Sequence, residues 1–491
     1  MNLASKEKKH FILNMLIMTS SMLVIRIMGM AFNIYFTSVI GASETGMYHL
    51  LFSAYGFFIT FSVAGCGIAA TRLVTESGGC VNAASRAVNK CISVCFPMAV
   101  IATIVAFAVR NTAFSNVIEN NTAPVAVAVL AASLVPTAVQ SVYRGYFMAV
   151  RNIGTVTVSQ LIEEFSQMII TLMLLDRLKG TPYAYISMLG GISLSAYISC
   201  AFDFCAYRKY TSPDYIYCDN SYIKCRSVMA IAFPIAAGSM LRSFLVLAEN
   251  MLIPKTLSAG GIADALGEYG IIKGMSIPLM MFPSVITTSL SSMLVAELSE
   301  RNAMSKVNGI RYIAGKGCAY TLYYGFAVFG AILLWHQTIA DMFYRDERVG
   351  IYLGVLAVLV IPMYLDHVVD GMLKGLNQQM SSLKYNIADS FLRVALILCL
   401  IPHIGSIGYV AMLYISELFN LFLSFSRLSS VTGMKLKLSY ILNPLICTGA
   451  AIGAVWLLEL AFVWEVAIYF ITYCTATFVL IKKDSPPTAK L

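Results

Sequence analysis

Long apolar stretches recur along the entire chain and are separated by short polar segments. A helix of about 20 apolar residues can cross the roughly 30 Å hydrocarbon core of a bilayer. The pattern therefore predicts an all-α integral membrane protein with about fourteen transmembrane helices. The predicted spans are 11–40, 47–74, 88–109, 123–147, 154–175, 183–206, 228–253, 269–296, 312–335, 350–373, 382–401, 408–427, 440–459 and 464–481.

The first and second halves of this pattern resemble each other. Gly46 aligns with Gly267 and Glu163 with Asp389, at a similar separation along the chain. These matches predict two six-helix lobes in a parallel repeat, a build typical of transport by alternating access. The predicted domains are an amino-terminal lobe at 1–208, a cytoplasmic linker at 209–227, a carboxy-terminal lobe at 228–430, and helices 13 and 14 with a short tail at 431–491.

The composition agrees with a membrane protein. Of the 491 residues, 58% are hydrophobic and 12% are charged, whereas a soluble protein carries about 25% charged residues. The formal net charge of +9 would by itself allow a nucleic-acid partner. However, most Lys and Arg residues fall in segments on the same side of the membrane as the amino terminus, which predicts that both termini are cytoplasmic. The basic excess then reflects topology, so we expect membrane lipid and no nucleic acid as a partner.

Basic side chains within the spans are the first candidates for a site. Arg26 lies near the middle of the first span, where an arginine costs about 2.5–3.5 kcal/mol on insertion scales. Asn33 follows two turns later on the same helix face. Either Arg26 is a structural pin that is hydrogen-bonded to a neighbouring helix, or it lines a pathway for an anionic ligand. Arg242 lies mid-span in the seventh helix, the repeat equivalent of the first, and Lys273 lies in the eighth.

Fixed cations in a low-dielectric cleft suit a phosphate or pyrophosphate group, which arginine binds with paired donors. The predicted substrate-binding residues are Arg26, Asn33, Arg242 and Lys273. The alternative is that each cation is neutralised by a nearby acid, which would be Glu249 for Arg242. For Arg393 we prefer this alternative, because Asp389 precedes it by one helical turn.

Acidic residues also occur inside the spans. Glu163 and Glu164 lie in the fifth span and Glu249 lies in the seventh. An acid embedded in a membrane can bind a proton or a cation. Glu163 and Glu249 are therefore predicted to be coupling or cavity acids that respond to an H⁺ or Na⁺ gradient or to the membrane potential. The alternative for Glu163 is a hydrogen bond that ties the fifth helix to Arg144 or Arg151.

The sequence gives little support for catalysis. The 5 histidines are scattered without metal-ligand spacing. No Walker A or G-x-S-x-G motif occurs. The single Asp366-x3-Asp370 pair lies inside a span and is weak support for the metal-binding carboxylates of a membrane prenyltransferase. We therefore predict no catalytic residue, no metal, no cofactor and no enzymatic activity.

Several motifs resemble those of one group of transporters. The first is Arg26-Ile-Met-Gly29, in the first span. The other matching segments are 41–48, 65–76, 144–163 and 269–297. Together they resemble the stage V sporulation protein B group of polysaccharide exporters. This group belongs to the multidrug/oligosaccharidyl-lipid/polysaccharide exporter (MOP) superfamily, which also includes the lipid II flippases.

The resemblance implies a flippase in the bacterial cytoplasmic membrane. Its cargo would be an undecaprenyl-pyrophosphate-linked oligosaccharide, moved from the inner to the outer leaflet. It also implies that Arg26, at the position of the family's first arginine in helix 1, contacts an anionic headgroup, and that helices 13 and 14 form a groove for the lipid tail. The sequence departs from the family at Phe32-Asn33, where a further basic residue is usual.

The predicted function is thus transport of an anionic lipid-linked glycan, carried out by a monomer and serving cell-wall, spore-cortex or capsule synthesis. The alternative within the superfamily is a cation-coupled multidrug antiporter. That alternative requires acids in the cavity of the amino-terminal lobe, whereas the first span carries Arg26 and no acid. A scaffold that transports nothing is a further alternative.

Overall fold

The computed structural model describes residues 23–63, 65–77, 81–111, 122–211, 225–304, 306–458 and 461–484. These residues are almost entirely helical. The first nine helices are α1 (Leu23–Ile40), α2 (Ala42–Val63), α3 (Cys66–Glu76), α4 (Val81–Val109), α5 (Ala123–Ala149), α6 (Ile153–Leu178), α7 (Ile186–Tyr210), α8 (Cys225–Ala259) and α9 (Ala265–Tyr269). The remaining helices are α10 (Ile277–Met281), α11 (Val285–Ala303), α12 (Val307–Phe343), α13 (Glu347–Leu356), α14 (Val360–Gly375), α15 (Gln379–Thr432), α16 (Ser439–Leu458) and α17 (Phe462–Asp484).

The number of membrane crossings agrees with the sequence prediction. Within the described residues, 13 helices are long and apolar enough to cross a membrane. One of them, α15, has 54 residues and changes direction at Gly405, whose φ of 55° and ψ of −133° are not helical. A helix of that length would measure about 80 Å, far more than one crossing needs. Counting α15 as two crossings gives about fourteen, so the predicted all-α membrane fold is confirmed.

The second crossing is divided between α2 and α3. Gly65 caps α3 with a φ of 70°, a left-handed conformation that favours glycine. A Cβ atom at this position would also lie 2.9 Å from the carbonyl oxygen of Ala232 on α8. Gly65 therefore allows both the left-handed backbone conformation before α3 and the close approach of α8.

The chain divides into two compact units, Met1–Gly270 and Ile271–Leu491. The first unit includes α8, which packs on α2. Ser243 and Thr60 lie 2.9 Å apart through their hydroxyl oxygens, and the rings of Phe244 and Phe57 meet at 6.1 Å. The compact units thus divide after α9, whereas the predicted lobes divide at the 209–227 linker, most of which lies outside the described residues. The predicted domain boundaries therefore stay a prediction.

Small residues hold the first unit together where α3 crosses α5. Gly67 and Gly145 face each other, and Thr71 donates a hydrogen bond from Oγ1 to the carbonyl oxygen of Gly145 at 3.0 Å. Small residues let helix backbones approach closely in membranes. The segments 65–76 and 144–163 were singled out from the sequence, and part of their pattern reflects this close contact.

Gly145→Ala is expected to destabilise the first unit by about 1–3 kcal/mol, the usual range for overpacking. The added methyl group would overlap the carbonyl oxygen of Gly67. Thermal unfolding of the detergent-solubilised protein measures the effect. The matched control is Gly56→Ala in α2, where nothing lies within 4 Å of the new methyl group. Equal stability of the two variants would contradict the close crossing.

In the second unit, α11, α12, α14 and α15 surround one apolar core, and α16 and α17 pack against α12. Tyr469 and Tyr473 of α17 donate hydrogen bonds from their hydroxyls to the carbonyl oxygens of Ala327 (2.8 Å) and Tyr323 (2.6 Å) in α12. The last two helices are thus fixed to the second unit through buried tyrosines.

Candidate functional site

A polar cavity of about 600 Å³ opens in the first unit between α1, α5 and α6. Its polar lining consists of Arg26, Asn33, Arg144, Gln160, Glu163 and Glu164. Three of the predicted site residues, Arg26, Asn33 and Glu163, therefore lie on one cavity. Charged groups within the spanning helices of a membrane protein are costly and mark functional sites by default.

Helical spacing explains how the residues of α1 and α6 reach the cavity. Arg26, Gly29 and Asn33 follow each other at intervals of three and four, so they lie on one face of α1. A Cβ atom at Gly29 would lie 3.8 Å from Oε2 of Glu164. Glycine at this position leaves room for the carboxylate of Glu164 beside the backbone of α1.

Arg144 connects the cavity to the interior of the first unit. Its Nη2 donates to Oε2 of Glu163 at 2.6 Å, and its Nε lies 3.5 Å from Oδ2 of Asp203 on α7. Nε and Nη2 both donate to Oγ of Ser159, at 3.1 and 2.9 Å. Nη2 also donates to Oγ of Ser199 at 3.0 Å. The arginine is thus held by groups from α6 and α7.

The groups behind Arg144 are buried. Asp203 is fully buried, and its Oδ2 accepts a hydrogen bond from Ser159 at 2.9 Å. Its Oδ1 has no hydrogen-bond partner among the described residues. Gln140 on α5 donates to Glu163 at 3.1 Å and to Ser199 at 2.6 Å. The alternative for Glu163, a tie to Arg144, is confirmed. Glu163 also lines the cavity, and its role as a coupling acid stays a prediction.

Arg26 and Glu164 take no part in this hydrogen-bond network. In the described part of the chain, no carboxylate lies within 4.0 Å of the Arg26 guanidinium, and no cation lies within 4.0 Å of Glu164. Oδ1 of Asn33 is also buried without a hydrogen-bond partner in the same set of residues. The α1 side of the cavity therefore offers five guanidinium N–H donors, which suit a phosphate or carboxylate.

The other predicted site residues lie elsewhere. Arg242 is on an exposed face of α8 and does not line the cavity, and Glu249 is buried farther along the same helix. Lys273 is partly buried in the π-helical turn Gly270–Ser276 and belongs to the second unit. The cavity residues Arg144, Gln160 and Glu164 were not predicted as site residues. Arg144 and Gln160 lie in the segment 144–163 and Glu164 follows it directly, so this segment is the signal that could have found them.

The second unit carries a corresponding polar cluster. Nε of Arg393 lies 2.9 Å from Oδ2 of Asp389, so the predicted pairing is confirmed. Asp370 pairs with Lys374 at 2.6 Å, and Asp366 accepts a hydrogen bond from Asn420 at 3.0 Å. Among the described residues no group of three or more His, Cys, Asp or Glu side chains could hold a metal ion.

Comparison with known proteins places these observations in a family. The family described as polysaccharide biosynthesis protein matches residues 11–295. Stage V sporulation protein B of Bacillus subtilis (strain 168) is 22% identical over 418 residues, which cover 82% of this chain and 80% of that protein. The resemblance noted from the sequence motifs is therefore confirmed.

Two solved structures have a similar fold. One is described as the lipid II flippase MurJ in an inward closed conformation; its TM-score is 0.74 at 11% identity, and the match covers 95% of this chain and 99% of that one. The other is an inward-facing multidrug resistance MATE family transporter of the MOP superfamily, with a TM-score of 0.67 at 13% identity over 83% and 96% of the two chains. At these identities the likeness concerns the fold. The names of these relatives are those of a flippase and a transporter, and neither is an enzyme.

Proposed function

Because the chain belongs to the polysaccharide biosynthesis protein family, we propose that it is a membrane transporter that exports or flips an anionic lipid-linked oligosaccharide. We propose undecaprenyl pyrophosphate as the lipid carrier and alternating access as the mechanism. The membrane is the bacterial cytoplasmic membrane, with both termini on the cytoplasmic side, and the working unit is a monomer.

One observation carries this proposal. Arg26 lines a polar cavity of about 600 Å³ and, within the described residues, has no carboxylate partner. A guanidinium in a membrane-embedded cavity is costly, and an anionic ligand offsets that cost by accepting its hydrogen bonds. A pyrophosphate headgroup supplies both negative charge and several acceptor oxygens.

The driving force is proposed to be an H⁺ or Na⁺ gradient or the membrane potential. Glu163 and Glu164 are the acids that line the same cavity. Moving one charge across the membrane potential is worth about 2.3 kcal/mol per 100 mV. An acid that exchanges a proton or cation during the cycle would therefore connect transport to either source.

A cation-coupled multidrug antiporter is the second candidate, and Glu164 is the observation that favours it. Its carboxylate lines the cavity without an ion pair in the described part of the chain. The acid that this alternative requires is supplied by α6, although α1 itself carries none. The two candidates therefore predict opposite charges for the cargo.

We expect the purified protein, reconstituted in vesicles, to flip a fluorescent undecaprenyl-pyrophosphate-linked sugar and to leave a cationic dye untransported. The physical reason is the guanidinium of Arg26, which has no ion pair within the described residues, repels a cation and binds a phosphate. Flipping is measured as loss of fluorescence to an impermeant quencher, and efflux as release of the dye. Vesicles without protein and an uncharged lipid-linked sugar are the controls. Dye efflux without lipid-linked sugar flipping would reject the proposal in favour of the antiporter.

A further inference from the structure

A second guanidinium, that of Arg144, lines the cavity beside that of Arg26. We propose that Arg144 is a pre-oriented ligand for the second phosphate of a diphosphate headgroup, and that Glu163 controls its availability by competing for it. This inference rests on the proposed function, because it assigns a ligand chemistry to the same cavity. Its test nevertheless has a readout independent of transport.

The hydrogen bonds of Arg144 to described residues involve Nε and Nη2 of its guanidinium and leave Nη1 without an acceptor among them. Nε and Nη2 bind Glu163, Ser159 and Ser199, whereas no described residue accepts a hydrogen bond from Nη1. Arg144 lines the cavity, and Nη1 carries two N–H donors. The free donors can therefore serve a ligand without disturbing the contacts to Ser159 and Ser199.

The contacts behind Arg144 fix its orientation. The hydroxyl of Ser159 donates to Asp203 at 2.9 Å, so its lone pairs are free to accept from Arg144. The hydroxyl of Ser199 donates to the carbonyl oxygen of Ser159 at 3.2 Å and accepts from Arg144 at 3.0 Å. A planar guanidinium held along one edge keeps the other edge pre-organised, which lowers the cost of binding. Asp203 is fully buried and therefore acts as a positioning residue.

Charge decides when Arg144 is available. The charged groups around Glu163 are Arg144 on α5, Glu164 on α6, Asp203 on α7 and, across the cavity, Arg26 on α1. Two carboxylates, those of Glu163 and Asp203, share the single guanidinium of Arg144. An arriving anion competes with Glu163, and it binds more tightly when Glu163 is neutralised by a proton or a cation. By linkage, a bound diphosphate favours the neutral state of Glu163 to the same extent.

Two guanidinium groups on separate walls also indicate the class of ligand. Arg26 projects from α1 and Arg144 from α5, and both line one cavity. Arginine binds phosphate oxygens with paired donors. A diphosphate carries more negative charge and more acceptor oxygens than a monophosphate, and it can offer a separate phosphate group to each arginine. The site should therefore prefer a diphosphate, whether it belongs to a lipid-linked sugar or is free pyrophosphate.

The test is an isothermal titration calorimetry experiment on the full-length protein in nanodiscs. Inorganic pyrophosphate and inorganic phosphate are titrated in separate runs, and the affinity for each is measured. Arg144→Lys keeps the positive charge beside Asp203 but loses the free second edge. We expect it to lower pyrophosphate affinity about ten-fold and to abolish the preference over phosphate. Glu163→Gln mimics the neutral acid and is expected to raise pyrophosphate affinity about ten-fold. Arg393→Lys, in the corresponding cluster of the second unit, is the matched control and should change neither.

The two variants are expected to change pyrophosphate affinity in opposite directions, and this difference distinguishes a ligand-binding arginine from one that only ties helices together. If Arg144 only ties helices together, both variants lower thermal stability and neither raises pyrophosphate affinity, and that result would overturn the inference. A lipid-linked diphosphate sugar should displace bound pyrophosphate from the wild type; failure to displace it would overturn the assignment of the site to a lipid headgroup. Opposite shifts without any lipid flipping would reject the proposed function alone, whereas normal flipping with unchanged affinities would reject this inference alone.

Discussion

Arg26→Ala is expected to reduce flipping of a lipid-linked pyrophosphate sugar by about 100-fold. A hydrogen bond to a charged group contributes about 1.5–3 kcal/mol, so the loss of a bidentate contact costs about 3 kcal/mol or two orders of magnitude. Within the described residues Arg26 has no ion pair, so its removal leaves no acid there without a counter-charge. The fold should therefore stay intact. The initial rate of flipping in reconstituted vesicles measures the effect, and the unfolding temperature verifies the fold.

Two further variants sharpen this prediction. Arg26→Lys keeps the charge and loses the planar pair of donors, so its rate should lie between those of the wild type and the alanine variant. Arg72→Ala is the matched control, because Arg72 is an exposed arginine of α3 that pairs with Glu76 at 2.8 Å and does not line the cavity. It should flip normally. An alanine variant at position 26 that flips at the wild-type rate would remove Arg26 from the mechanism.

The fold was predictable because the apolar stretches report directly on membrane crossings. The interruptions within the crossings were less predictable. Gly65 lies within the predicted span 47–74, so the break before α3 was not predicted, whereas the break at Gly405 in α15 falls between two predicted spans. A glycine inside an apolar stretch breaks a helix only where contacts with other helices favour the break. The close approach of α8 to Gly65 is such a contact. Local sequence does not contain that information.

The site was predicted in part, for reasons that differ between residues. Arg26 and Asn33 share one face of α1 by spacing alone, and a charge in the middle of a span is conspicuous. Arg144 lies near the end of the predicted span 123–147, and the sequence indicates it only as an alternative partner of Glu163. Its pairing with Asp203 depends on how α5 and α7 meet. Sequence spacing describes one helix and leaves contacts between helices open.

Arg242 was predicted to bind substrate but does not line the cavity, because the sequence does not show which face of its helix turns inward. Its position in the repeat suggested a partner for Arg26, yet its side chain lies on an exposed face of α8, outside the cavity. A helix that is apolar on all sides does not specify which face turns inward. In the structure, Ser243 and Phe244 of α8 contact α2, through Thr60 and Phe57. The role of Arg242 in substrate binding therefore stays a prediction.

Arg393→Met is expected to destabilise the second unit by about 3–5 kcal/mol, the range for breaking a buried ion pair. Nε of Arg393 binds Asp389 at 2.9 Å and Oγ of Ser416 at 2.6 Å, and Asp389 is only 5% exposed. Without the guanidinium, the carboxylate stays buried beside Glu417, which is 8% exposed. Unfolding of the purified protein in mixed micelles, titrated with dodecyl sulfate, measures the loss.

A surface pair of the same spacing provides the control for this last prediction. Arg301 binds Glu297 at 2.7 Å, also one helical turn apart, but both side chains are substantially exposed. Exposed pairs contribute at most about 1 kcal/mol, so Arg301→Met should have a small effect. Combining Arg393→Met with Asp389→Asn should recover most of the stability, because the buried charge is then absent together with its partner. The Arg393 and Arg301 pairs share their spacing and differ in exposure. An equal loss of stability in Arg393→Met and Arg301→Met would therefore mean that burial of the Arg393 pair has no energetic consequence.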